Sequence, residues 1–155
     1  MTLIQELMNQ SISSTLLNTS LVKRFSPAEI RETIQSLVAT EQIELANALG
    51  DAGLSLYPNS EDILAITSLL AIMNQDWTLA VELMDELHAI QAGNTPAFTY
   101  VMHVRALRCN LDPARAYAMV CEGLAKYPDQ VELLAEKLSL DDLSASMLVP
   151  LGQQH

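Results

Sequence analysis

The stretch GLSLYPN, residues 53–59, returns 70 residues later as GLAKYPD, residues 123–129. Glycine, leucine, tyrosine and proline recur in the same order and spacing, and the Leu-Ala pair at 64–65 returns at 134–135 with the same offset. An offset of 70 residues divides into two units of about 35, which is the period of a solenoid built from pairs of helices. The stretch therefore predicts a helical repeat protein.

A middle copy supports this division into units. Ala46, Ala80 and Ala116 are spaced by 34 and 36 residues, and each falls early in a predicted second helix. On these residues the chain resembles the tetratricopeptide repeat (TPR) family, whose pattern has a small residue early in the second helix and a proline at the end of the unit. The resemblance implies three TPR-like helix pairs, at residues 27–58, 61–92 and 97–128.

The run ILAITSLLAIM, residues 63–73, lies near the middle of the chain and carries no charge. A helix that is apolar on all faces must be covered on more than one side. At about 1.5 Å of rise per residue, eleven residues reach roughly 17 Å, well short of a bilayer core of about 30 Å. The run predicts a buried core helix and no membrane insertion.

The composition favours an all-α fold. The 155 residues are half hydrophobic with few aromatics, and no stretch rich in Val, Ile and Thr alternates as a strand does, so we expect a single domain, 1–155, without sheets. We expect an α-solenoid with an N-terminal amphipathic segment, 1–25, that covers the first repeat or serves as a dimerisation or partner-binding arm. C-terminal capping helices are predicted at 129–149: one amphipathic helix after Pro128 and a short last helix from Ser139, stopped by Pro150.

The charge of the chain excludes one class of partner. The net charge of −11 argues against nucleic acid, whose phosphates need a basic face. Only residues 97–128 are basic on balance, with four basic and two acidic side chains. Cys109 and Cys121 fall within apolar helical pattern and predict buried free thiols in a cytoplasmic protein, in preference to a disulfide or a metal site.

The sequence offers no constellation for catalysis. His88, His103 and His155 are scattered, and neither His-Glu-x-x-His nor Cys-x-x-Cys spacing occurs. We therefore expect no catalytic residues, no metal and no cofactor, and a protein that is not an enzyme.

The TPR resemblance implies a partner-binding groove lined by the first helix of each pair. A stripe at i, i+4 and i+7 of each first helix is the predicted lining, and it runs from mixed through apolar to basic: Arg31, Gln35, Val38, Ala65, Leu69, Ile72, Val101, Arg105 and Arg108. A protein or peptide with hydrophobic anchors and an acidic end would suit it. Two alternatives stay open: the apolar part is ordinary core, and the arginines pair with acids of the chain itself.

We expect a non-enzymatic adaptor or chaperone that holds a protein segment in this groove. Three such repeats with terminal helices in a chain of this length also resemble the small cytoplasmic chaperones of bacterial type III secretion, in architecture and composition only. The alternative is a structural subunit whose apolar faces form a permanent homodimer or larger assembly.

Overall fold

The computed structural model of the protein describes residues 19–152, with the side chains of residues 21–144. Residues 1–18 of the predicted N-terminal segment lie outside this range. All regular elements in the described range are helices, which confirms the all-α prediction. They are α1 (Thr19–Val22), α2 (Pro27–Ala39), α3 (Ile43–Leu56), α4 (Glu61–Met73), α5 (Trp77–Ile90), α6 (Ala97–Cys109), α7 (Pro113–Lys126) and α8 (Val131–Gly152).

Polar side chains cap the start of four of these helices, α2, α4, α5 and α7. Ser26 and Glu29 form a reciprocal capping box at α2, in which each side chain accepts from the other residue's backbone N–H at 3.2 Å. Ser60, Asp76 and Asp112 accept from backbone N–H groups in the first turns of α4, α5 and α7. These caps satisfy donors that a helix leaves unpaired, so local sequence favours the observed start of each of these four helices.

The same turn joins the first helix to the second helix in all three pairs. Its central residue has a positive φ each time: 62° at Glu41, 59° at Gln75 and 62° at Leu111. The N–H of that residue donates to the carbonyl three residues earlier at 3.0–3.1 Å, and the next N–H donates to the carbonyl five residues earlier at 2.8–2.9 Å. These bonds close the last turn of each first helix, as in a Schellman-type C-cap.

The chain divides after Gln91 into two compact units, Met1–Gln91 (unit 1) and Ala92–His155 (unit 2). In unit 1, α2 packs on α3 and on α4, and α4 packs on α5. Leu21 and Val22 of α1 join the buried core that α2, α3 and α4 form. The central run is largely core as predicted, with Ile63, Leu64 and Ile66 among its buried residues.

Unit 2 contains the third helix pair and α8. α6 packs on α7, and α8 packs on both. The prediction of two C-terminal helices is wrong, because α8 runs without a break from Val131 to Gly152. No glycine or proline interrupts residues 131–149, so nothing opposes helix propagation at Ser139. Pro150 lies in the last turn, where it removes one hydrogen bond only shortly before the helix ends.

The repeated tyrosine links the end of its helix pair to the start of the same pair. The hydroxyl of Tyr57 donates to the carbonyl oxygen of Phe25 at 2.8 Å, and the hydroxyl of Tyr127 donates to that of Thr95, also at 2.8 Å. Phe25 and Thr95 are themselves 70 residues apart. The repeated stretch thus makes the same long-range hydrogen bond twice.

The repeated glycine marks a close approach of helices. A Cβ on Gly53 would lie 3.2 Å from Ile63 Cδ1, and a Cβ on Gly123 would lie 3.0 Å from both Leu133 Cδ1 and Tyr100 Cγ. Both glycines are buried inside second helices. Glycine recurs here because the neighbouring first helices leave little room for a side chain.

Candidate partner-binding face

Six of the nine predicted groove residues lie on two adjacent first helices of unit 1, α2 and α4, which pack side by side. Gln35 is exposed and the other five are partly exposed, so all six keep surface that a partner can touch. We call these six residues the first-helix face: Arg31, Gln35, Val38, Ala65, Leu69 and Ile72.

One edge of the first-helix face is polar and internally paired. Arg31 Nη1 donates to Asp62 Oδ1 at 2.9 Å, and both side chains are about two-fifths exposed. A shallow hollow of about 250 Å³ opens here, lined in part by Glu32 and Gln35. Because the pair is exposed, a partner carboxylate can compete with Asp62 for the guanidinium at little cost.

The other edge of the first-helix face is apolar. Val38 and Leu69 are partly buried and pack against the core of unit 1, while Ile72 is also partly exposed. Met73, which the sequence pattern did not include, follows with 51 % of its surface exposed. Partly exposed apolar side chains in a row are the usual anchors of a peptide or helix.

The structure corrects one predicted residue in unit 2. Val101 is fully buried, so its side chain is not available to a partner. The cause is local, because every residue of α6 from Thr99 to Val104 is buried and this half of the helix has no open face. A stripe taken from helical spacing alone cannot reveal that a helix is covered all round.

Arg105 and Arg108 do not form an open basic end. Arg105 Nε donates to Glu136 Oε1 at 3.0 Å, and Arg108 Nε donates to Glu136 Oε2 at 2.9 Å, while Glu132 lies 3.8 Å from Arg105. Glu136 is nearly buried between them, and its hydrogen bond is the main cause that raises the pKa of Arg108. The arginines therefore pair with acids of the chain itself, which is one of the two alternatives left open by the sequence.

A signal for this pairing was present in the sequence. Arg105 and Glu136 are 31 residues apart, as are Arg31 and Asp62. That separation places two residues on successive first helices of a repeat with a period near 35, where their side chains can meet. A stripe defined on one helix does not reveal acidic partners that lie on the next first helix.

The described part of the chain contains neither a cluster of metal-ligating side chains nor a membrane-spanning helix. Between residues 19 and 152 there is no group of three His, Cys, Asp or Glu side chains that could hold a metal ion. In the same range no helix is both long and apolar enough to span a bilayer. Cys109 is partly buried and Cys121 is exposed, contrary to the expectation that both are buried, and both are free thiols.

These helix pairs, with their common turn and their buried small residues, define a TPR-like α-solenoid fold. Ala46, Ala80 and Ala116, the residues that carry the resemblance, are all fully buried. No family model matches the chain, and no curated protein sequence matches it.

Solved structures of MamA match the chain in fold. MamA of MSR-1 has a TM-score of 0.69 at 13 % identity, and the match covers 83 % of this chain and 76 % of the MamA chain. A MamA point mutant has a TM-score of 0.68 at 14 % identity, covering 82 % and 76 % respectively. An RS-1 ArsTM double mutant of MamA has a TM-score of 0.57 at 12 % identity, covering 83 % and 84 %. At these identities the likeness concerns the fold alone.

Proposed function

We propose that the protein is a non-enzymatic adaptor that binds a segment of another protein on the first-helix face of unit 1. The observation that carries this proposal is the row of partly exposed apolar side chains, Val38, Leu69, Ile72 and Met73, beside an exposed polar edge. Apolar anchors supply affinity, and a polar rim orients the bound segment. Because Arg31 is the only basic residue of the face, the preferred segment is apolar with one acidic residue.

The TPR-like fold supports this proposal, since first helices form the partner-binding surface in proteins that resemble it. An acidic end of the partner would have only Arg31 to pair with on this face, because Arg105 and Arg108 already share Glu136. A role as a secretion chaperone stays a prediction that rests on architecture alone. The repeat boundaries and the cytoplasmic location likewise stay predictions.

The test compares two isoleucines of unit 1 that are changed in the same way. Ile72→Glu places a charge on the first-helix face, whereas Ile90→Glu places it at the exposed end of α5, a helix that contributes no residue to that face. Tagged wild type and both variants are used to capture proteins from lysate of the source cell, and the bound proteins are identified by mass spectrometry. We expect a partner retained by wild type and Ile90→Glu and lost from Ile72→Glu.

Circular dichroism of the variants guards against an indirect effect. Ile72 is only partly buried, so the helical signal of Ile72→Glu should match that of wild type. A partner that binds Ile72→Glu as well as wild type contradicts the proposed face. Recovery of nothing but the chain itself from every capture favours the structural homo-oligomer instead.

A further inference from the structure

α8 exposes leucines at positions where every earlier first helix is buried. By the repeat spacing, Leu134 corresponds to Ile30, Leu64 and Tyr100, which are at most 1 % exposed, yet Leu134 itself is 43 % exposed. Leu138 in the same way is 65 % exposed, although its three counterparts are fully buried. These counterparts of Leu138 are Ile34, Ser68 and Val104. The contrast marks one face of α8 as incomplete.

A second helix is what covers these positions elsewhere. α2 packs on α3, α4 on α5, and α6 on α7, each after a first helix of 13 residues. α8 continues for 22 residues and has no such turn, so no second helix follows it within residues 19–152. Among the described residues, none takes beside α8 the place that a second helix takes in the other pairs.

A hollow between α7 and α8 lies next to this open place. It has a volume of about 450 Å³, and Tyr117, Leu140 and Ser144 are among its lining residues. By the repeat offset of 70 residues, these three correspond to Asn47, Leu70 and Asn74, which line a smaller hollow of about 250 Å³ in unit 1.

The comparison identifies what the larger hollow lacks. In unit 1 the remaining wall of the smaller hollow includes Leu79 and Leu83, both from α5. The described part of unit 2 has no counterpart to α5. One helix placed beside α8 as α5 lies beside α4 would cover both Leu134 and Leu138 and would also close the hollow.

We propose that this end face of unit 2, formed by Tyr117, Leu134 and Leu138, binds an amphipathic helix of another protein that takes the place of a fourth second helix. The pattern of the ligand follows from the helices that fill the equivalent places. In α5 the buried residues Ala80, Met84 and Leu87 are spaced at i, i+4 and i+7. The ligand carries a small residue followed by two large apolar residues at that spacing.

Charge selects a basic helix. Asp141 and Asp142 are exposed at one end of the apolar face and Glu132 is exposed at the other, with Lys137 as the only basic residue of α8. A ligand with lysine or arginine beside its apolar stripe gains attraction at both ends, since exposed charges of opposite sign steer and orient association.

The chain itself offers poorer occupants. A second copy would bring the same acidic helix and a further net charge of −11. Residues 1–18 contain Glu6 as their only charged side chain and no basic residue, so they lack the charge that the end face favours.

The probe for this site is a capped, fluorescently labelled peptide with the sequence of α5, Trp77–Ile90, bearing E82K, D85K and E86K. These substitutions lie off the buried stripe of α5 and make the peptide basic. The full-length chain is titrated into this peptide and into the unsubstituted acidic one, with fluorescence anisotropy as the readout. We expect the basic peptide to bind at least about tenfold more tightly than the acidic peptide.

Three variants locate the binding. Leu138→Glu should weaken binding of the basic peptide at least about tenfold, because it places an acid in the apolar stripe. Leu111→Glu is the matched control, since Leu111 is 88 % exposed in the turn between α6 and α7, and it should leave binding unchanged. Asp141→Lys combined with Asp142→Lys should abolish the preference for the basic peptide without altering an apolar residue.

Several outcomes overturn the proposal. They are no binding of the basic peptide below about 0.5 mM, an affinity too weak for a specific site, and equal binding by wild type and Leu138→Glu. A wild-type dimer that Leu138→Glu converts to a monomer assigns the face to a second copy instead. Tighter peptide binding by Leu7→Glu assigns the end face to the N-terminal segment.

Ile72→Glu should leave peptide binding unchanged. The proposal for this end face and the proposal for the first-helix face can therefore fail or succeed separately.

Discussion

Gly123 shows how one residue controls the packing of unit 2. An added Cβ would meet Tyr100 at both Cγ and Cβ, at 3.0 and 3.1 Å, and Tyr100 is itself buried. Next to Gly53 the nearest atom is the terminal methyl of Ile63, which can turn aside more easily than an aromatic ring held at its root. Two equivalent glycines are thus unequal in what they tolerate.

We predict that Gly123→Ala lowers the free energy of unfolding by about 1–2 kcal/mol, because the strain of overpacking exceeds the gain in helix propensity. Gly53→Ala should change it by less than about 0.5 kcal/mol, since a propensity gain of up to about 1 kcal/mol offsets a small shift of Ile63. Urea unfolding of the two variants measures the difference. A Gly123→Ala variant as stable as wild type would show that Tyr100 can move.

At the scale of elements, the turns between paired helices hold non-glycine residues in a glycine conformation. Leu111 has a φ of 62° and an almost fully exposed side chain, so the residue has strain and no packing to offset it. Glu41 and Gln75 have the same backbone conformation, but their exposed side chains are polar and therefore well hydrated.

We predict that Leu111→Gly raises the free energy of unfolding by about 0.5–1 kcal/mol, because glycine adopts this conformation without strain. Leu111→Ala removes the same exposed side chain but keeps a Cβ, so it should give no such gain. The difference between the two variants in thermal or urea unfolding isolates the backbone effect. Equal stabilities would mean that the turn is not strained.

Local signals made most helices predictable, whereas contacts between helices were not. Ser26, Asp76 and Asp112 start helices through bonds within their own first turn, so a pattern of four neighbouring residues is enough to indicate each start. The burial of Val101 and the sharing of Glu136 by two arginines depend on a neighbouring helix about 30 residues away in sequence. Helical spacing predicts which residues share one face of a helix. Packing against neighbouring helices decides which of those faces are exposed to water.

At the scale of the whole molecule, the two compact units can be observed separately. Trp77 is the only tryptophan and lies in unit 1, so its fluorescence reports that unit, while far-UV circular dichroism reports all helices. In helical repeats, stability is a sum of local and nearest-neighbour terms, and a defect in one part is not shared equally by the rest.

We predict that Gly123→Ala separates two unfolding transitions in urea. The circular dichroism signal should begin to fall at a lower urea concentration than in wild type, while the midpoint of Trp77 fluorescence should stay close to the wild-type value. Gly53→Ala, in the same unit as Trp77, is the control and should keep the two signals together. Coincident transitions in Gly123→Ala would show that the units unfold as one.

The turn common to the three helix pairs also bears on how such a chain changes over generations. Since the backbone leaves each first helix and enters each second helix along the same path, recombination within the turns joins helices from different pairs without a new loop. A gene segment that runs from one such turn to the next encodes a second helix and the first helix of the following pair, with the same backbone path at both ends. Gain or loss of such a segment would leave the backbone path at each remaining turn unchanged.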